Sequence, residues 1–197
     1  MPRITAATVV EHRLNQERKL LDVAHDMLKD TGDVPSLGQV AQRAGLARTS
    51  VYHYFSSRED LLNALVRDVF PKWAERVTNA MEAEAEPKAK ILAYALANVQ
   101  LVNEGAHAVA TALANLSPSE ALDEQAAEMH RAITKPLVET LAELGVSDPE
   151  GVAELINAVV HASTRALESG QPIERVVANL TAVIAPMAAG MQNCPGH

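Results

Sequence analysis

The chain has 197 residues, enough to bury a substantial core in one domain or in a small domain beside a larger one. Apolar residues make up 48% and aromatics only 3%, which excludes a disordered chain and favours packed helices rich in Ala, Leu, Val and Ile over a β architecture. The formal net charge of −8 excludes a chain basic throughout, yet residues 1–58 hold eight Lys/Arg against six Asp/Glu, a net +2, and residues 59–197 hold −10. A mildly basic head on an acidic body fits a local phosphate contact. Cys194 is the only cysteine, so no intrachain disulfide is expected and a reducing compartment fits. No basic-then-apolar leader opens the chain, and the longest apolar stretch, 180–191, is short for a bilayer. A soluble, cytoplasmic protein is expected.

Helix starts and stops recur along the chain. Thr8-Val9-Val10-Glu11 reads as a capping box for a helix over 9–31, with Leu14, Leu21, Ala24 and Leu28 at helical spacing and Gly32 as its stop. Ser36 and Gln39 cap a short second helix closed by Gly45, and a third is predicted over 48–55. Ser56-Ser57 opens a long helix over 58–84, where Pro71 removes one amide and predicts a kink near 67–70. Further helices are predicted over 88–103 and 106–115, and from Ser117-Pro118 to Leu144 with a bend at Pro136. Asp148-Pro149 starts another that ends near Gly170, and Pro172 starts the last, which Pro186 and Gly190 fray. The fold class is all-α, with about nine helices. The division expected is 1–57 for a helix-turn-helix and 58–197 for a helical effector and dimerisation domain.

The stretch from Ser36 to Leu62 is the informative one. Two short helices separated by Ala44-Gly45-Leu46 read as a helix-turn-helix, with Val40, Ala41, Leu46, Val51 and Phe55 as its small core. Arg48, Thr49, Ser50, Tyr52, His53 and Tyr54 are left for the surface of the second helix. Exposed aromatics and hydroxyls on a short helix suit a contact face: hydroxyls and the phenol donate to phosphate, and an arginine pairs with a guanine edge.

Val40-Ala41, Ala44-Gly45-Leu46, Val51-Tyr52-x-Tyr54-Phe55 and Ser57-Arg58-Glu59-x-Leu61 together resemble the tetracycline-repressor (TetR) family. The resemblance covers about the first third of the chain. It implies that Arg48 and Thr49 open the recognition helix and face bases, that Ser50, Tyr52 and Tyr54 hold phosphates, and that Arg58 reaches the DNA backbone. Ser36 and His53 are also taken as DNA-binding residues, with a merely solvated His53 as the alternative. Three positions depart from the pattern: Ala47 stands where a serine N-cap is usual, Thr49 replaces a common glycine, and Asp33 follows Gly32 where an aromatic is frequent.

Residues 87–192 show no nucleotide-binding glycine loop, no Ser/His/Asp arrangement and no Cys cluster. Glu104-x-x-His107 is half of a di-iron helix motif, but a second pair is lacking. Neither a metal, another cofactor nor an enzymatic activity is expected. Tyr94, Asn98, His107, His130, Asn157 and His161 are polar insertions in apolar helices. Singly each reads as a satisfied core residue; together they read as anchors of a small-molecule pocket. The resemblance implies such a pocket, with Trp73 near its lower edge, and the acidic balance favours neutral or cationic ligands. Leu155 and Val159, with Val176, Leu180, Val183, Ile184 and Met187, exceed one core face and predict a homodimer interface.

The expected function is a dimeric repressor that binds a near-palindromic double-stranded DNA operator and is released by a small-molecule effector, with no membrane partner. The alternatives are an effector-independent or activating regulator, and a helical enzyme or carrier.

Overall fold

The computed structural model describes residues 6–105, 109 and 120–191, and every regular element among them is a helix. In chain order these are α1 (Ala6–Thr31), α2 (Leu37–Ala44), α3 (Arg48–Val51), α4 (Arg58–Glu82), α5 (Pro87–Asn103), α6 (Glu120–Glu143), α7 (Pro149–Glu168) and α8 (Ile173–Gly190). The helix expected over 106–115 and the Ser117-Pro118 start lie outside the described residues. Proline at the first helical position opens α5 and α7, and the Asp148 carboxylate accepts from Gly151 N at 3.0 Å. These are the places where a missing amide and a side-chain acceptor suit a helix start. α4, α6 and α8 run through Pro71, Pro136 and Pro186.

Two boundaries depart from the sequence reading. α1 begins at Ala6, so Thr8 lies inside the helix and is not its cap. α3 spans only four residues rather than eight. Ala47 offers no cap, Tyr52, His53 and Tyr54 have modest helix propensity, and the ladder tightens to three-residue spacing in Ser50 N to Ala47 O (2.9 Å), His53 N to Ser50 O (3.3 Å) and Tyr54 N to Val51 O (3.0 Å).

The described residues form two compact units. Those up to Val69, with Val109, make the first, and those of 70–105 and 120–191 make the second. In the first unit Leu20, Ala24 and Leu28 of α1 are buried, as are Val40 of α2, Val51 and Phe55 of the α3 segment, and Leu61 and Leu65 of α4. Leu46 is half-buried, and Leu14, expected on the packing face of α1, is 60% exposed.

In the second unit α5 packs against α6, α7 and α8. Its surroundings explain its composition: only Gln100 and Asn103 of its seventeen residues are exposed, and a helix contacted on all sides is apolar all round. α8 reaches a mean hydropathy of 1.2 over 18 residues, so by length and composition it is long enough to cross a bilayer. The shorter run at 180–191 had suggested otherwise because it left out the flanking turns. A core helix passes the same test, and Val176, Leu180, Ile184 and Ala188 form its buried stripe.

Candidate DNA-binding surface and candidate effector pocket

α2 is fixed at both ends by side-chain and backbone chemistry. Ser36 Oγ accepts from Gln39 N at 3.3 Å, and Gln39 Oε1 accepts from Ser36 N at 2.8 Å, which is the expected capping box. Gly45 ends the helix at φ 69°, a left-handed conformation that favours glycine. Leu46 N then donates to Ala41 O at 2.9 Å, turning the chain into α3. At the start of α4, Ser57 Oγ accepts from Asp60 N at 3.0 Å, while Asp60 Oδ2 accepts from Ser56 N at 2.8 Å and Ser56 Oγ at 3.0 Å. The Ser56 amide and hydroxyl hold the Asp60 carboxyl below its ordinary range.

These two caps border a groove of about 410 Å³. Arg48, Tyr52 and Arg58 line it with Ser36, Ser56 and Ser57, together with Gly38, Gln39 and Gln42. No carboxylate is among its lining residues. Arg58 Nε donates to Val34 O at 2.8 Å, so its side chain is aimed by the loop ahead of α2. Arg48 Nη2 donates to Tyr52 Oη at 3.2 Å, and its guanidinium carbon sits 5.8 Å from the centre of the Tyr52 ring. The phenol contact raises the Arg48 pKa further above its ordinary value.

Of the residues expected to touch DNA, Ser36, Arg48, Tyr52 and Arg58 meet at this groove. Thr49 and His53 are exposed beyond it, and Ser50 and Tyr54 are half-buried. Gln42, Ser56 and Ser57 also line the groove and were not among the expected residues. Ser56 and Ser57 were legible only as a helix start, and nothing in the spacing of Gln42 marks it.

The expected effector pocket divides differently. Trp73 Nε1 donates to Asn98 Oδ1 at 2.8 Å, and Asn98 Nδ2 donates to Tyr94 O at 2.9 Å. Tyr94 Oη donates to Asn157 Oδ1 at 2.7 Å, and Asn157 Nδ2 reaches Thr134 Oγ1 at 3.4 Å. All four expected anchors among these are buried and bonded to one another, so they form a chain through the core rather than the bare wall of a cavity. Burial pushes the Tyr94 phenol up, against its hydrogen bonds to Thr134 and Asn157.

His130 is exposed and stands apart from this chain, on a groove of about 680 Å³ between α6 and α7. Asn157 and Thr134 reach that groove from the core side, beside Ala132, Val138, Glu150 and Glu154. His161 is exposed and does not line it. His107 lies outside the described residues. Glu104, the other half of the di-iron pattern, accepts from Arg76 at 3.0 Å and from Gln100 at 3.2 Å. Thr134 was missed because a lone threonine in a helix carries no signal.

The expected interface also splits. Val176, Leu180 and Ile184 are at most 2% exposed within one copy, so they belong to its core and are corrected out of the interface. The three recur at four-residue spacing and place one stripe of α8 inward. Leu155 and Val183 remain 66% and 51% exposed, and Val159 and Met187 are half-buried.

Comparison with known proteins finds a family model that matches part of the first unit. Residues 20–65 match the model of bacterial regulatory proteins of the tetR family. Over these residues the chain is similar to the tetR family. It is similar to the HTH-type transcriptional regulator BetI of Rhizobium meliloti (strain 1021), with 30% identity over 79 residues, 40% of this chain and 39% of that one. The chain thus spans about two-fifths of the length of this curated relative. The wider fold is shared with solved structures. A transcriptional regulator from Rhodococcus sp. superposes with a TM-score of 0.74 at 24% identity, over 88% of this chain and 96% of the other. The regulator FadR from Bacillus subtilis, solved in complex with stearoyl-CoA, gives 0.69 at 16% identity over 85% and 97%. The tetR-family model match ends at residue 65, before Trp73.

Proposed function

We propose that this chain is a transcriptional repressor that binds a near-palindromic DNA operator as a homodimer and is released by a small molecule. The observation that carries the reading is the carboxylate-free groove in which Arg48, Arg58, Tyr52 and three serines meet, within the residues that match the tetR-family model. Guanidinium, phenol and hydroxyl donors are the groups that hold backbone phosphates, and an acidic body keeps the rest of the chain off the duplex. Residues 1–57 are proposed as the DNA-binding part, and 58–197 as the effector and dimerisation part. The exposed Leu155 and Val183, with Val159 and Met187, support pairing of two copies. A two-fold dimer sets its recognition elements about 34 Å apart, one helical turn of DNA.

The groove between α6 and α7 supports the effector role, because Asn157 gives it a polar anchor joined to Tyr94. The mutual bonding of Trp73, Asn98, Tyr94 and Asn157 favours a second reading, a regulator without effector, since it leaves those anchors fewer unused donors. Electrophoretic mobility shift tests both. The purified chain is titrated into the DNA upstream of its own gene and into a scrambled duplex, with and without a cell extract. Preferential retardation relieved by extract supports the first reading, retardation that extract never relieves supports the second, and no retardation at low salt removes both.

A further inference from the structure

We propose that Arg48 anchors a DNA backbone phosphate instead of reading a base, and that base selection on this surface falls to Thr49 and His53. The proposal rests on the DNA-binding reading above and assigns roles within it. A base-reading arginine has to extend from its helix into the major groove with its guanidinium fork presented to one base edge. Here the Arg48 side chain runs the other way. Its guanidinium is tied to Tyr52 one turn along by the 3.2 Å hydrogen bond and the 5.8 Å ring contact.

Its stem crosses the first turn of α2. A Cβ built on Gly38 would meet Arg48 Cδ and Nε at 3.9 Å each, an ordinary van der Waals contact. The stem of Arg48 therefore passes over Gly38 at the start of α2. The remaining guanidinium donors of Arg48 then border the groove shared with Arg58, Ser36, Ser56 and Ser57.

Two guanidiniums, the Tyr52 phenol and the Ser57 hydroxyl, with no carboxylate among the lining residues, make a setting for a group with several anionic oxygens. The Ser36 and Ser56 hydroxyls are already given to Gln39 Oε1 and Asp60 Oδ2. The first helix of a helix-turn-helix crosses the DNA backbone while the second enters the groove. An arginine folded over α2 is therefore on the phosphate side of this unit. Thr49 and His53 are exposed on α3 and the turn that continues it, and neither lines the groove. A hydroxyl with a methyl and an imidazole both serve at base edges.

The test is site selection from a randomised duplex library with the wild-type chain and with Arg48→Ala, Thr49→Ala and His53→Ala. Fluorescence anisotropy on the selected site and on one random 30-base-pair duplex then follows over a salt series. Arg48→Ala is expected to select the wild-type consensus, to weaken both duplexes by the same factor of about ten, and to make the plot of log affinity against log salt shallower by about 1 per subunit. Tyr52→Phe, which removes the tether and keeps the ring, should weaken both duplexes in parallel as well. Thr49→Ala or His53→Ala should change the consensus while keeping the wild-type salt slope.

An Arg48→Ala consensus that loses a single base pair, with the slope unchanged, overturns the assignment and restores Arg48 as a base reader. Unchanged consensus sequences for both Thr49→Ala and His53→Ala overturn the second half. A wild-type chain that retains neither duplex at low salt is a failure of the DNA-binding reading itself. All four side chains are exposed or half-exposed, and unchanged thermal melts confirm that each variant tested is folded.

Discussion

In the first unit the polar side chains around residues 36–58 face outward about a groove, with two arginines and no carboxylate at its walls. In the second, Trp73, Asn98, Tyr94 and Asn157 turn inward and satisfy one another through hydrogen bonds of 2.7–2.9 Å, with Thr134 at the end of the chain. The same classes of residue thus serve opposite ends. The outward arginines and the Tyr52 phenol keep donors for a partner, while Ser36, Ser56 and Ser57 are also tied into helix starts. An inward group is held by the cost of leaving a buried donor unmatched. The contrast teaches that a polar residue in an apolar helix is not by itself a sign of a ligand. What matters is whether its bonding capacity is already met inside the chain.

The sharpest way to break this comparison lies on α8, where inward and outward residues alternate. Leu180 is 1% exposed and Val183 is 51% exposed. Leu180→Asp buries an unpaired carboxylate and is expected to cost roughly 4 kcal/mol or more, enough to unfold a marginally stable domain. Val183→Asp should change folding stability by no more than about 0.5 kcal/mol while shifting light scattering towards a monomer, if the proposed α7/α8 face pairs two copies. A cooperatively folded Leu180→Asp chain would show that the α8 stripe is not part of the core. A dimeric Val183→Asp chain would move the interface elsewhere.

A smaller effect is expected from the buried chain. Asn98→Ala removes the acceptor of Trp73 Nε1 and leaves a small void, for a loss of about 2–4 kcal/mol in denaturant unfolding. Thr49→Ala, on the outward face, should stay within about 0.5 kcal/mol. Equal losses for the two would erase the distinction between the units. Trp73 is the only tryptophan, so its emission reports Asn98→Ala directly, with a shift expected even where the chain stays folded.

The smallest effect is a pH dependence at the start of α4. The Asp60 carboxyl titrates below its ordinary 3.8 because Ser56 donates to it twice. A depressed folded pKa means that its contribution to stability is present above the unfolded value and is lost as pH falls through the folded one. The wild type should therefore be slightly more stable than Asp60→Asn at neutral pH, and the difference should shrink as the pH drops below about 3.8. A difference that stays constant from pH 6 to pH 2.5 would show that the asparagine keeps both Ser56 bonds. It would then owe nothing to the charge.

Much of the fold was legible from local chemistry. Ser36 with Gln39, Gly45, Pro87 and Asp148-Pro149 each act within one turn of the backbone, so their roles as caps and stops follow from residue type and spacing. α3 was less legible because its length depends on a cap that Ala47 does not supply. The outward residues of the first unit could be anticipated because a short motif fixes both the helices and their faces. The groove they form, with Ser56, Ser57 and Gln42 added, needed the chain between α3 and α4 to fold back beside α2.

The chain by itself determined an all-helical fold, a helix-turn-helix near its start and a stripe of apolar residues along its last helix. These follow from hydrogen bonding within a few residues and from the period of apolar side chains, both of which are local. Tertiary structure alone decided that Trp73 bonds Asn98, that Tyr94 bonds Asn157 sixty-three positions away, and that Leu180 faces inward while Val183 does not. Such pairings depend on which helices meet and at what rotation. Helical spacing gives each residue an angle around its own axis, and only packing against other helices gives that angle a direction.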